Sequence, residues 1–323
     1  MIFYDFEVFK EDWLAVFIDV TKKKEYVIIN NPDELKALYE ANSKDIWVGY
    51  NNRHYDQYIF KGILLGMNPK RINDWIIVEK REGWQFSSAF NKVPMINYDV
   101  MPNPPVGLKT LEGFLGSNIK ETDVDFRINR KLTKEEIEMT VFYCRHDVEE
   151  TIKVFLEKID EFNAMHGIIQ AFPDIVNLSD IGDSEARITA KVLGCSRRSF
   201  EDEFDFYFLP CLQLKKYKYV QDWFEQKRQE ALSMDLAHMD KYSKRTWYKE
   251  QGLETVVAGI PHSFGFGGVH GATATPIHKT GQLLHVDVNN YYPSMLIAWG
   301  LVTRAATNDN YPLVYNTRKA MKE

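Results

Sequence analysis

The chain of 323 residues has little cysteine, no long apolar run and no excess of positive charge. Its cysteines, Cys144, Cys195 and Cys211, are far apart, which excludes a disulfide-stapled secreted domain and gives no zinc-ligand spacing. No apolar run reaches the roughly 18 residues of a membrane span, and the first residues lack the pattern of a signal peptide. We therefore expect a cytoplasmic protein with no membrane partner.

The formal net charge of −6 gives no overall attraction to nucleic acid, so binding to it must depend on local basic patches. Basic and aromatic residues alternate over 241–249, a mixture that suits nucleic-acid backbones and stacked bases. A solvated amphipathic helix with long lysine side chains explains the same pattern equally well. The chain shows no internal repeat and no low-complexity segment.

The first nine residues combine two carboxylates, Asp5 and Glu7, with aromatic and β-branched neighbours. That composition predicts a strand, in which residues two apart point to the same face. Two like charges side by side are unfavourable unless a cation lies between them, so the pair indicates a divalent metal site. A solvated edge strand is the alternative.

Strand and helix patterns alternate through the first half of the chain. Residues 2–9, 13–20 and 25–29 predict an antiparallel meander, and Asn31-Pro32 predicts the start of a helix that runs to about residue 41. Strands are predicted at 45–50 and 95–101, and helices at 55–65, 69–79 and 108–115. Thr133 and Glu136 predict a capping box that opens a helical run to about residue 165, broken once. The result is a mixed α/β domain.

The second half has a different pattern. Helices are predicted at 184–193 and 218–232, a glycine-rich loop at 264–271, a strand at 282–288 and a helix at 293–299.

Further carboxylates complete the first pair. Asp56 follows the turn after the strand at 45–50, and Asp147 is four residues after Tyr143, which places both on one helical face. Phosphodiester hydrolysis must activate a water and stabilise charge on the phosphate and the leaving oxygen, and two divalent ions about 3.5–4 Å apart can do this. Such ions need about four carboxylates. Asp56 taken alone could also be a helix cap.

Segments 5–7, 49–56 and 143–147 resemble the three motifs of the proofreading 3′–5′ exonuclease domain of the DEDD superfamily. Phe142 stands where the His subclass has its histidine, and Tyr143 has the position typical of the Tyr subclass. The resemblance implies an RNase H-like fold, a mixed sheet flanked by helices. It also implies that Asp5, Glu7, Asp56 and Asp147 bind two Mg²⁺ or Mn²⁺ ions and that Tyr143 orients a water.

The same resemblance implies residues that hold a single-stranded DNA 3′ end. Asn51, Asn52 and Tyr55 of the second motif are candidates. Thr110 and Leu111 resemble a further single-strand-binding motif of protein-primed phage polymerases, and they are equally compatible with an ordinary helix start.

Lys120 is a candidate for a lysine that contacts the scissile phosphate in those relatives, although its spacing to the next apolar residue is one longer than theirs. Gly267 and Gly268 lie where those polymerases have a Tyr-x-Gly-Gly motif, with Gly265 at the tyrosine position. Their glycines let backbone N–H groups approach a phosphate.

Residues 285–294 resemble motif A of family B DNA polymerases, with Asn290 and Tyr291 replacing the usual Ser-Leu. The resemblance implies that Asp287 and the backbone of Val288 bind metal for nucleotide addition, and that Tyr292 excludes ribonucleotides. An ordinary strand-to-turn transition is the alternative.

Only 29 residues follow Ser294, and no Asp-Thr-Asp occurs in the chain. We therefore expect the N-terminal part of a phage-type family B polymerase that does not polymerise by itself. The expected domains are the exonuclease at 1–167, a helical connecting region at 168–260 and a partial palm at 261–323.

The expected activity is 3′–5′ exonuclease activity on single-stranded DNA, with a primer-template 3′ end and the remaining polymerase portion as partners, in the host cytoplasm if a phage encodes the chain. A stand-alone nuclease that trims RNA or DNA and a non-catalytic DNA-binding half of a split polymerase are the alternatives.

Overall fold

The computed structural model describes residues 1–116, 124–195, 206–276, 280–282, 284, 286, 290–300, 302, 306 and 309–321. The chain divides into two compact units. The first comprises Met1–Cys195 with Ala306–Glu323, and the second comprises Ser196–Ala305. Among the described residues, every helix is too short or too polar to cross a membrane.

The first unit is built on a mixed five-stranded sheet. Its strands are β1 (Ile2–Val8), β2 (Trp13–Asp19), β3 (Lys24–Ile29), β4 (Ile46–Gly49) and β5 (Ile96–Asp99). The sheet order is β3-β2-β1-β4-β5. β2 is antiparallel to β1 and β3, whereas β1, β4 and β5 are mutually parallel neighbours. The predicted meander and the predicted mixed α/β class are confirmed.

The helices of the first unit are α1 (Pro32–Ala41), α2 (Asp56–Leu64), α3 (Pro69–Asn73), α4 (Leu108–Phe114), α5 (Lys134–Glu157), α6 (Ile159–Ala171), α7 (Glu185–Val192) and, late in the chain, α11 (Asn310–Ala320). A π-helical turn, Asp74–Val78, extends α3, and short 3₁₀ turns lie at Gly83–Gln85, Ser88–Lys92 and Leu178–Asp180.

Two of these helices begin as the sequence predicts. Asn31 caps α1: its side chain accepts a hydrogen bond from the N–H of Glu34. Pro32 follows it at the first helical position. Thr133 and Glu136 form a reciprocal capping box at the start of α5. The helical run from there breaks once, at Lys158, between α5 and α6.

Alternation along the central strands produces two apolar layers. Ile2, Tyr4, Phe6 and Val8 are buried in the layer that α1 and α2 cover. Phe3 is buried in the opposite layer, where α5 packs across β1 and β2. Because residues two apart share a face, Asp5 and Glu7 point to the side that α5 covers.

The first compact unit continues beyond residue 167, where the sequence places a boundary. Ile181, Ile188 and Val192 are buried in the layer beneath α5, and Val314 of α11 packs against the same layer. The apolar side chains of α7 and α11 therefore complete the core on this face of the sheet. This explains why the first unit extends to Cys195 and also includes residues 306–323.

The second unit contains α8 (Lys218–Ser233), a 3₁₀ turn at Leu236–His238, α9 (Lys241–Glu250) and α10 (Tyr291–Ala298), with a three-stranded sheet, β6 (Leu253–Val257), β7 (Ile260–Gly265) and β8 (Gly268–Gly271). Its core is small: Ala231, Leu236 and Trp247 are buried, with Phe266 against them.

The glycine-rich segment 264–271 is a β-hairpin, which corrects the predicted loop. β7 and β8 are antiparallel, with Gly265 opposite Gly268 across a turn at 266–267. The ring of Phe266 lies 5.4 Å from that of Trp247, so the turn is anchored to the core of the unit. The predicted strand at 282–288 falls mostly outside the described residues.

Candidate metal centre

Asp5 and Glu7 lie in β1, which is the central strand of the five-stranded sheet and not one of its edges. β4 pairs with β1 only at Ile2 and Phe3, so both carboxylates project beyond the carboxyl end of β4. Crevices outside the carboxyl ends of parallel strands are where open α/β sheets bind ligands. The position of the strand rules out the solvated edge as the explanation of this pair.

Helix α5 brings the third carboxylate to the same place. Cys144 of α5 donates its thiol to Asp5 Oδ2 at 3.4 Å, which fixes the helix against the strand. Asp147 follows one turn later, and ligand oxygens of Asp5, Glu7 and Asp147 all lie within 4.8 Å of one another. Three carboxylates from sites 140 positions apart in the chain thus meet at one point of the described structure.

The electrostatics of this group are unfavourable without a cation. Burial, and then the charge of Asp147, raise the pKa of Asp5 from 3.8 to about 7. Burial and the neighbouring charges of Asp5 and Asp147 raise the pKa of Glu7 well above its usual value. Each carboxylate makes ionisation of the others harder. A divalent cation bound between the carboxylates would favour their ionised forms and so lower these pKa values.

Asp56 lies beside the group of three rather than within it. It is the first residue of α2, it is 3 % exposed, and its Oδ1 accepts a hydrogen bond from the N–H of Phe6 at 3.2 Å. Burial, followed by the charge of Asp5, raises the pKa of Asp56 well above its usual value. Because Tyr55 is the cap residue of α2, the alternative that Asp56 is a helix cap is excluded.

Lys109 of α4 supplies positive charge to the centre. Its Nζ contacts a carboxylate oxygen of Asp147 and lies 3.0 Å from Glu112 Oε1. Glu112 is 1 % exposed, and its other oxygen lies 3.6 Å from His146 Nε2. Lys109, Glu112 and His146 are not among the site residues that the sequence predicts. In the sequence, Lys109 and Glu112 are marked only by their closeness to the candidates Thr110 and Leu111. The contact of Lys109 with Asp147 joins residues 38 positions apart, so no local pattern predicts it.

No protein-family model, curated protein or solved structure matches this chain. What the centre can do therefore follows from its own geometry.

Tyr143 and Asp147 lie on the same helix, as the sequence predicts. Tyr143 is half-buried, and its ring centroid lies 5.5 Å from that of Phe142, which is exposed. The position of Tyr143 four residues before Asp147 places it one turn earlier along α5.

The strand-binding candidates of the second motif have different surroundings. Asn52 is 0 % exposed, and its Nδ2 donates to Asn97 Oδ1 at 2.9 Å and to the carbonyl of Tyr98 at 3.2 Å. Its amide is thus used inside the fold. Asn51 is partly exposed, has a φ of 57°, and donates its backbone N–H to Asp99 Oδ1 at 2.9 Å. Of the two asparagines, Asn51 has the accessible side chain.

Tyr55 is half-buried beside the carboxylates. Its hydroxyl donates to Asn73 Oδ1 at 2.7 Å. Burial, followed by the charges of Asp56 and Glu7, raises the pKa of its phenol well above the usual value. The ring is therefore fixed next to the centre.

Thr110 and Leu111 both lie inside α4, so the predicted helix is confirmed. Thr110 is exposed, whereas Leu111 packs against the apolar layer beneath α5. Only Thr110 has a side chain open to a ligand.

The remaining candidates belong to other parts of the chain. Gly267 and Gly268 form the turn and the first residue of β8 in the second unit, and Tyr292 lies on α10 with 71 % of its side chain exposed. Lys120, Asp287 and Val288 lie outside the described residues.

The donor set suits a hard divalent cation. Asp5, Glu7 and Asp147 offer carboxylate oxygens only, which are the ligands that Mg²⁺ and Mn²⁺ take in proteins. The half-buried, mutually repelling carboxylates would gain a counter-ion. Asp56 would lie at the margin of such an ion, next to Asp5.

Proposed function

We propose that this chain is a metal-dependent 3′–5′ exonuclease that acts on single-stranded DNA 3′ ends. One observation carries the proposal: Asp5 and Glu7 of the first motif and Asp147 of the third converge within 4.8 Å, with Asp56 of the second motif beside them. A mixed sheet flanked by helices is also what the resemblance to RNase H-like exonucleases implies.

Each residue has a role in this proposal. Asp5, Glu7, Asp56 and Asp147 would hold two Mg²⁺ or Mn²⁺ ions, which lower the pKa of a bound water and stabilise charge on the phosphate and the leaving oxygen. Tyr143 would orient the water from the preceding turn of α5. Asp56 is buried and the other three carboxylates are half-buried, so their charge acts on the ions with less screening than in bulk water.

The DNA strand would approach from the segment that joins β4 to α2. Asn51 and Tyr55 lie there, with Thr110 on α4 as a further candidate. The second unit would belong to the start of a polymerase palm, as the resemblance of residues 285–294 to motif A suggests. On this proposal the chain removes mismatched 3′ ends for a family B polymerase, whose remaining portion is its partner.

The test is digestion of a 3′-labelled single-stranded oligonucleotide with Mg²⁺ by the full chain. We expect the double variant Asp5→Ala with Glu7→Ala to lose activity, and the variant Glu149→Ala to retain it, because Glu149 is exposed on α5 two residues after Asp147. Undiminished digestion by the double variant would refute the proposal. Faster digestion of RNA than of DNA would favour a trimming nuclease instead, and DNA binding without hydrolysis would favour a non-catalytic module.

A further inference from the structure

A cavity of about 720 Å³ lies on the flank of α2, outside the candidate metal centre. Side chains from α2 form one wall, and the segment 75–91 forms the other. The lining combines three kinds of group: tryptophan rings, long basic side chains, and the amides and hydroxyls of neutral polar residues. Aromatic rings can stack on an aromatic ligand and basic side chains attract an anion, so the lining suits a ligand that is both aromatic and anionic.

Trp84 is the most exposed aromatic group of the cavity wall, with 62 % of its surface accessible. It belongs to the turn Gly83–Gln85. A Cβ at position 83 would lie 2.2 Å from the ring of Tyr58, so the turn can approach α2 this closely only because residue 83 is glycine. The indole of Trp84 is therefore presented to solvent from a fixed turn.

Lys61 contributes a cation from α2. It is half-buried, and burial lowers the pKa of its ammonium group. Its Nζ donates to Gln57 Oε1 at 3.2 Å, and no carboxylate of the described residues lies within 4 Å of it. A partly buried cation without a counter-ion favours an anion in the cavity.

The second basic group is already held in place. The guanidinium of Arg81 lies 4.2 Å from the ring centroid of Trp75 and 3.2 Å from Glu79 Oε2. Gln85 and Asn91 add amide groups that can both donate and accept hydrogen bonds. Amides of this kind pair with the edges of nucleobases.

Helix α2 joins the cavity to the candidate metal centre. Asp56 begins the helix beside Asp5, and Lys61 lies five residues later, which corresponds to about 7.5 Å along the helix axis. A single strand whose 3′ end lies at the carboxylates could therefore reach the cavity with a neighbouring nucleotide.

We propose that this cavity binds one unpaired nucleotide of a single strand, with its base stacked on Trp84 and its phosphate at Lys61. The choice of ligand rests on the proposed function. Stacking of a base on an aromatic side chain contributes measurably to binding of single strands, so loss of Trp84 should weaken the affinity by roughly tenfold or more.

Binding is measured with the full chain and a fluorescently labelled oligothymidylate in EDTA, where no hydrolysis occurs. We expect Trp84→Ala and Lys61→Gln each to weaken the affinity roughly tenfold. The matched controls are Leu156→Ala and Lys36→Gln, whose side chains are exposed on α5 and α1, and they should bind like the wild type. Trp84, Leu156 and Lys36 are exposed, and Lys61→Gln replaces only the charged end of a half-buried side chain, so circular dichroism should show a folded chain for all four variants.

Wild-type affinity in both cavity variants, or no binding by the wild-type chain, would overturn the inference. The binding result and the nuclease result can be told apart. A chain that digests DNA but binds equally well without Trp84 and Lys61 disproves only the cavity. A chain without nuclease activity whose binding depends on both residues supports the cavity and refutes the proposed function.

Discussion

Replacing Asp5 by Asn should stabilise this protein when no divalent cation is present. Asp5 shares a small volume with Glu7 and Asp147, and all three carboxylates have a raised pKa. The substitution removes one of these charges and keeps the size of the side chain. It should therefore relieve repulsion in the folded state.

The magnitude follows from the pKa of Asp5, which burial raises from 3.8 to about 7. The folded state holds the proton more tightly than the unfolded chain, so the stability that this proton confers is present below pH 3.8 and is lost as the pH rises to about 7. The full loss is up to about 4 kcal/mol. The variant avoids it, so its advantage over the wild type should be small at pH 4 and largest at pH 8.

The assay is thermal unfolding in EDTA at these two pH values, repeated at pH 8 with Mg²⁺. For a domain of this size about 4 kcal/mol corresponds to roughly 10 °C in melting temperature. Saturating Mg²⁺ at 100 times its Kd should return about 2.7 kcal/mol to the wild type, and nothing to the variant. Asp33→Asn, at an exposed position in the first turn of α1, is the control and should show neither effect.

A variant that melts below the wild type at pH 8 in EDTA would refute the reasoning, because it would show that the Asp5 carboxylate stabilises the fold. Equal stabilisation of wild type and variant by Mg²⁺ would show that the ion binds elsewhere.

Two further substitutions test the surroundings of the centre. Lys109→Met removes the cation that contacts Asp147 and Glu112. Because Glu112 is almost fully buried, the free energy of unfolding measured in urea should fall by about 2 kcal/mol. The control Lys134→Met removes one partner of an exposed ion pair and should lower it by nearly nothing, and equal losses in the two variants would contradict the role of Lys109. Thr133→Ala removes the cap of α5 and should lower the free energy of unfolding by about 1 kcal/mol; an unchanged melting temperature would show that the cap is dispensable.

Much of the local structure could be predicted because it depends on neighbours in the sequence. The pairing of Thr133 with Glu136 and the placement of Asn31 before Pro32 involve groups three or fewer positions apart, and both helix starts are confirmed. The same holds for the shared face of Asp5 and Glu7, which follows from the period of a strand. The glycine-rich segment 264–271 was predicted wrongly, because pairing between strands and the anchoring of Phe266 depend on tertiary contacts.

The sequence by itself determined which carboxylates are candidates, since residue type and helical or strand period are local properties. Only the tertiary structure decided that Asp5, Glu7 and Asp147 meet, with Asp56 at their margin, because that depends on how α5 packs over the sheet. The fold also decided that Asn52 is an internal residue and that Lys109 neutralises part of the charge. Burial and the distances between carboxylates set the pKa values of the centre, and both depend on tertiary packing rather than on the local sequence.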